Sequence, residues 1–156
     1  MTTEILLLVT LLAYSMVVSQ SFMYLISLKT VQLNLDANAY TQLRKRIDAS
    51  MRANFKYVIY TALISTLLLV VLTARNPGSL LFVSSTLAFV ALVLDVVIMM
   101  KGNLPINAVI NTWSAGNVPA DWTNYRDKWL QLFGYRQIAS IIGFLSLLVG
   151  AVFGAR

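Results

Sequence analysis

The chain is 156 residues long, 58% hydrophobic and only 12% charged. A water-soluble domain of that size cannot hide so much apolar surface in its own core, so the composition describes a membrane protein. With no cysteine and no histidine, disulfides, thiolate nucleophiles, iron–sulfur clusters, Cys-zinc sites and the usual general base drop out.

Crossing a hydrocarbon core of ~30 Å takes ~20 apolar residues, and four such stretches occur. They are Ile5 to Leu28, Tyr57 to Ala74, Asn76 to Leu94 (running on toward residue 100), and a last span, entered from about residue 130, whose uncharged part is Gln137 to Ala155. Met1 to Glu4 carries no basic n-region, and the apolar run outlasts an h-region, so the first segment is expected to remain as a helix. Lys29, Arg44, Lys45, Arg46, Arg52, Lys56, Lys101, Arg126, Lys128 and Arg136 all fall on the side of the two longer loops; only Arg75 and Arg156 lie opposite. The positive-inside rule then places both longer loops in the cytoplasm and both termini on the non-cytoplasmic side, with a bacterial inner membrane as the expected host. The net charge of +6 is assigned to lipid head groups and topology, and no nucleic-acid partner is expected.

Between spans one and two, Tyr40, Leu43, Ile47 and Met51 repeat at helical spacing, with Arg44, Lys45 and Arg52 on other faces. This reads as an amphipathic cytoplasmic helix, either lying on the membrane or extending span two. Lipid anchoring is the plainer role for it and a regulatory basic patch the sharper one. The Pro77-Gly78 pair suits a tight turn between spans two and three. The expected architecture is an all-α, single-domain, four-helix up-down bundle.

Ionisable groups within a span default to function. Asp95 lies six residues before Lys101, about 9 Å of helix from that end, and Arg136 opens the last span at similar depth. A structural salt bridge between them is the first reading and a substrate-facing acid the alternative. Trp122, Arg126, Trp129, Phe133, Arg136 and Ser140 recur at steps of four, three, four, three and four, so all share one helix face, continued by Gly143, Leu147 and Gly150. Pro119 fits a first turn, so the helix is expected to begin near Val118. The small residues admit a close neighbour, whereas the aromatic and cationic part can line a cavity. Trp-Arg-Trp-Arg suits a flat, oxygenated aromatic guest, since guanidinium planes stack on indoles and bind oxygens with a directional fork. The competing reading is an interfacial aromatic belt of Trp113, Trp122, Tyr125 and Trp129.

Pro105 cannot donate to residue 101 and disfavours helical geometry at Leu104, so the helix is expected to break there, with Asn103 and Asn107 presenting amides at the break. Asn107 and Asn111 share a face if the helix resumes. Gln20 with Ser15, Ser19 and Tyr24 on span one, and Tyr57, Tyr60 and Thr61 on span two, either complete a polar pocket or hydrogen-bond between helices.

Pro105-Ile106-Asn107, then Trp113, then Trp122, Arg126, Trp129 and Arg136, resemble a family of small four-helix integral membrane proteins that includes anthrone oxygenases. The resemblance implies an oxygenase using molecular oxygen without metal or flavin, turning a hydroxylated anthrone into an anthraquinone. Asn107, Trp113, Trp129 and Arg136 match the motif, while Phe133 stands where a polar residue such as His or Asn is expected. With no histidine, deprotonation falls to Asp95, a tyrosine or the substrate's own acidity, and Arg126 or Arg136 would stabilise the enolate. On this reading Asp95, Arg136 and Asn107 are the catalytic candidates, and Asn103, Trp113, Trp122, Arg126, Trp129 and Gln20 the substrate-binding ones. No cofactor or metal is expected, and the partners are the lipid bilayer and a planar aromatic or amphiphilic ligand. The alternatives are a non-catalytic binder or carrier of a lipid or small amphiphile, and a structural subunit. Homo-oligomers stay open, and a pore would require them.

Overall fold

The computed structural model describes residues 2–154; the expected span end at Ala155, and Arg156 beyond it, lie outside the described residues. Four helices are long and apolar enough to cross a membrane: α1 (Thr3–Leu33), α2 (Ala37–Thr73), α3 (Leu80–Thr112) and α4 (Trp122–Phe153). They pack in a ring, α1 against α2, α2 against α3, α3 against α4 and α4 back against α1, with the α3–α4 seam the most extensive. Their outward faces carry large exposed apolar side chains such as Leu12, Ile64, Leu87, Val90, Ile138 and Leu145, a surface suited to hydrocarbon rather than to water.

Side-chain caps set two of the starts. Asp36 accepts from the backbone N–H groups of Asn38 and Ala39, both at 2.9 Å, and opens α2. Ser79 accepts from Phe82 N–H at 3.2 Å and opens α3. The start of the third span therefore moves from Asn76 to Leu80, because Asn76, Pro77 and Gly78 are spent on the turn, where Ser79 N–H reaches the Asn76 carbonyl at 3.0 Å. Helix α4 likewise begins at Trp122 and not near Val118; Pro119 precedes it in a turn closed by Trp122 N–H on its carbonyl at 3.1 Å. Gly116, at φ +79°, supplies the left-handed step of the α3–α4 connection.

Of the two placements open for the amphipathic helix between spans one and two, the structure has the second: it extends span two as the first part of α2, one uninterrupted helix of 37 residues, about 55 Å long at 1.5 Å per residue. The face it turns inward is Tyr40, Arg44 and Asp48, with Leu43, Ile47 and Met51 only half-buried beside it. Two expectations are corrected. Arg44, expected on an outer face, is buried because neutral polar side chains from α1 and α3 wait for it there. The helix also does not break at Pro105. Residues Met99–Asn103 form a π-helical turn, with Leu104 N–H reaching back to the Met99 carbonyl, and Leu104 keeps helical geometry at φ −65°, ψ −44°. Pro105 has no N–H to return to Lys101, and widening the turn by one residue accommodates that loss without ending the helix. A second π turn, Tyr24–Leu28, interrupts α1.

The buried interior has two parts. One is aliphatic, gathering Tyr14, Ala62, Leu69, Ala88, Leu92 and Leu147 among others. The other is aromatic, centred on Tyr24, Tyr40, Trp113, Trp129 and Phe133. In the first, a Cβ added at Gly143 would collide with the Tyr14 hydroxyl, and one at Gly150 would lie 2.6 Å from Ser84 Cβ, so the small residues on α4 do admit close neighbours. Tyr14 Oη donates to the Ala88 carbonyl at 3.1 Å across the same contact.

Candidate functional site

Between the two parts lies a cavity of about 590 Å³ with walls from all four helices. Most of its wall is apolar, including Met23, Phe55, Ile59, Leu63, Met99 and Met100, while its charged and amide members are Gln20, Arg44, Asp48, Arg52, Lys56, Asn103, Asn107 and Arg136. An apolar cavity of this size with a few converging polar groups is the usual form of a small-molecule site.

Arg44 is the centre of the polar group. The residue is only 3% exposed, Nη1 donates to Tyr24 Oη at 3.1 Å and Nη2 to Asn107 Oδ1 at 3.0 Å. Its guanidinium lies 3.8 Å from the centroid of the Trp129 ring, a cation–π stack strengthened by exclusion of water. Tyr24 Oη also accepts from Gln32 Nε2 at 2.8 Å. One turn along α2, Asp48 is saturated: Arg52 Nε, Asn107 Nδ2 and Asn111 Nδ2 each donate to it at 2.8 Å. Asn107 thus passes between Arg44 and Asp48, accepting from one and donating to the other, and the shared face of Asn107 and Asn111 is realised on this carboxylate.

On the opposite wall, Arg136 Nε donates to Asp95 Oδ1 at 2.7 Å, the expected salt bridge between α3 and α4. Asn103 accepts weakly from Arg136 Nη1 at 3.5 Å and donates through Nδ2 to the Trp129 carbonyl at 3.0 Å. Both π turns supply the cavity wall, one with Tyr24 and the other with Asn103; such turns re-aim side chains that a regular helix would direct elsewhere. Trp129 and Phe133 stack at 5.1 Å between centroids, 12° from parallel, and Tyr24 closes on Phe133 at 4.3 Å.

The candidates divide cleanly. Gln20, Asn103, Asn107, Trp129 and Arg136 line the cavity. Asp95 stands behind Arg136, beside a second hollow of about 10 Å³, the size of one water. Trp113, Trp122 and Arg126 lie away from the cavity: Trp113 packs edge-on against Tyr125 and accepts on its carbonyl from Lys45 Nζ. Trp122 lies against Tyr40 and under Arg126, which reaches the Leu33 carbonyl at 3.2 Å. The Trp-Arg-Trp-Arg register therefore does not form one wall, and the cation on Trp129 is Arg44 from α2, not one from α4. Ser19 and Tyr60 reach the cavity, whereas Ser15 hydrogen-bonds its own helix and Tyr57 and Thr61 face outward. Missed by sequence reasoning were Arg44, Asp48 and Phe55; the only signal for the first two was a buried periodicity of four from Tyr40, hidden in a basic run.

Three buried N–H donors on this wall, Gln20 Nε2, Arg44 Nε and Trp129 Nε1, have no hydrogen-bond partner among the described residues. A buried donor without an acceptor carries its full desolvation cost, of order 1–3 kcal/mol. Among the described residues no group of His, Cys, Asp and Glu is placed to hold a metal ion. Comparison with family models, curated proteins and solved structures gives no match.

Proposed function

We propose that the protein is an integral membrane four-helix up-down bundle that binds a small amphiphile, its apolar body against the Met and Phe wall and its oxygen-bearing head among the amide and guanidinium side chains of the same cavity. The observation that carries this reading is a cavity of about 590 Å³, mostly apolar, whose wall includes the amide and guanidinium side chains of Gln20, Arg44, Asn103, Asn107 and Arg136. Acceptor oxygens on a guest would pair with these side chains, and its apolar body would fill the rest of the volume. The test is native mass spectrometry of the detergent-purified protein, followed by titration with an amphiphile panel. Retained ligand, and an affinity at least about tenfold weaker in the Gln20→Leu/Trp129→Phe double variant, are expected. An empty protein that no member of the panel binds would overturn the reading.

The proposed orientation puts both termini outside the cytoplasm, supported by the clustering of basic residues around the α1–α2 and α3–α4 connections. A chain without cysteine permits a direct check by thiol labelling: Asn117→Cys should be shielded in intact cells and Arg75→Cys reactive, and the reverse pattern would invert the topology.

The oxygenase remains a second reading, favoured by the contiguous aromatic wall of Tyr24, Trp129 and Phe133. In it the guest is a hydroxylated anthrone that loses a carbon-bound proton to give an enolate, and O2 carries this to the quinone with release of water. Asn107 and Arg136 would bind its oxygens; Asp48 lines the cavity but already accepts three hydrogen bonds, so loss of the proton would rest on the substrate's own acidity, with Arg136 stabilising the enolate. Oxygen uptake with an anthrone, above the spontaneous rate and lost in Arg136→Ala, is the expected signature. A rate equal to background would end this reading while leaving amphiphile binding intact.

A further inference from the structure

Arg44 presents an imbalance that its hydrogen bonds do not remove. The other buried guanidinium, Arg136, faces Asp95, and Asp48 is paired with Arg52. Arg44 is as deeply buried as either, yet among the described residues no carboxylate lies within ion-pair distance of it; its acceptors, Tyr24 Oη and Asn107 Oδ1, are neutral. A buried cation without a counter-charge is costly, because neutral dipoles and an indole face replace only part of its hydration. Asp48 does not repair this. Both its oxygens are engaged, and it stands one amide away behind Asn107. Four basic side chains, Arg44, Arg52, Lys56 and Arg136, line the cavity against Asp48 alone, and Asp95 behind Arg136 offsets one more, so the wall keeps a cationic excess.

The cavity also has a direction. Arg52, 54% exposed at its side chain, and the exposed Lys56 mark one part of the rim, while the exposed Met23, Tyr60 and Met100 mark another that is continuous with the outward apolar surface. A guest can therefore enter from the hydrocarbon side with its head kept near cations throughout.

We infer that the cavity's guest carries an anionic oxygen head, which supplies the missing counter-charge of Arg44, on an apolar body of one chain or one flat ring system. This deepens the amphiphile-binding proposal and rests on it. A carboxylate on an acyl chain and the phenolate or enolate of a flat aromatic share that chemistry, and charge-assisted hydrogen bonds to either are stronger than those to a neutral hydroxyl.

Binding of palmitate and of hexadecanol, matched in chain length, is to be compared in nanodiscs of uncharged lipid, with a hydroxylated anthrone as the third probe. Palmitate is expected to bind at least about tenfold tighter than hexadecanol, and Arg44→Met should bring the ratio close to one while hexadecanol binding persists. Equal affinities in the unaltered protein would overturn the anionic head and leave amphiphile binding standing; failure of every probe would overturn both. An anthrone bound more tightly than palmitate, and dependent on Arg44, supports the inference with a flat body, and the opposite order supports it with a chain. Should Arg44→Met not fold, the ratio in the unaltered protein decides alone.

Discussion

Along α4, Gly143 and Gly150 bring the helix so close to Tyr14, Ala91 and Ser84 that no side chain fits between, while Trp129 and Phe133, on the same face three turns earlier, stand with Tyr24 around an open volume. The first region is closed by aliphatic packing with a few hydroxyl bonds to backbone carbonyls, such as Tyr14 to Ala88 and Thr66 to Ala62. The second holds the ionised side chains of the interior, and each is matched by an amide, a hydroxyl, a ring face or a carboxylate from another helix. One register on one helix thus closes the bundle where its residues are small and opens it where they are large. The buried charged and amide side chains sit toward the part that opens, where there is room for their partners and for a guest, while the closed part holds hydroxyls such as those of Thr66 and Ser84.

The largest effect is expected at the boundary of the two regions. Replacing Arg136 by Met strands Asp95 without its guanidinium and should lower stability by about 3–5 kcal/mol, with Asp95→Leu added to it recovering most of that loss. Unfolding in detergent measures both, and a double variant no better than the single one would mean that the ion pair is not what is lost. Next, Gly143→Val should cost about 1–3 kcal/mol through overpacking against Tyr14 and leave amphiphile affinity within twofold. A collapse of affinity in folded Gly143→Val protein would show that the two regions are not separable. Trp129→Phe keeps a ring under Arg44 but takes away part of the aromatic wall of the cavity; affinity should fall five- to tenfold, about 1 kcal/mol, with a smaller change in unfolding. Smallest is Asn111→Leu, which takes one of three donors from Asp48 and should cost about 1 kcal/mol or less, seen as a shift in unfolding midpoint with the affinity unmoved.

The closed region was largely legible in the sequence. Ser140, Gly143, Leu147 and Gly150 repeat with the helical period, and their buried face is the one that the period marks. The Asp95–Arg136 pair was legible too, because two opposite charges at similar depth in an apolar span have few alternatives. The open region was not. Arg44 sits in the run Arg44-Lys45-Arg46, where local composition argues for an outer face, and what buries it comes from Tyr24 on α1, Asn107 on α3 and Trp129 on α4. No window of sequence contains those partners together. Pro105 misled for a related reason: its missing N–H fixes that one hydrogen bond is lost, while the choice between a break and a widened turn is made by whether Asn103 and Asn107 find partners across the bundle, as both do.

The central claim is that a guest's apolar body lies in the cavity against the aromatic wall. Trp129 lines that cavity, whereas Trp113 and Trp122 do not, and these three are all the tryptophans of the chain. In the Trp113→Phe/Trp122→Phe variant the fluorescence of Trp129 should be quenched saturably by palmitate brominated at mid-chain, and released again by excess unbrominated palmitate. Quenching that rises linearly with the mole fraction of brominated chain, and that unbrominated palmitate does not reverse, would place the probe in the surrounding lipid and contradict the account.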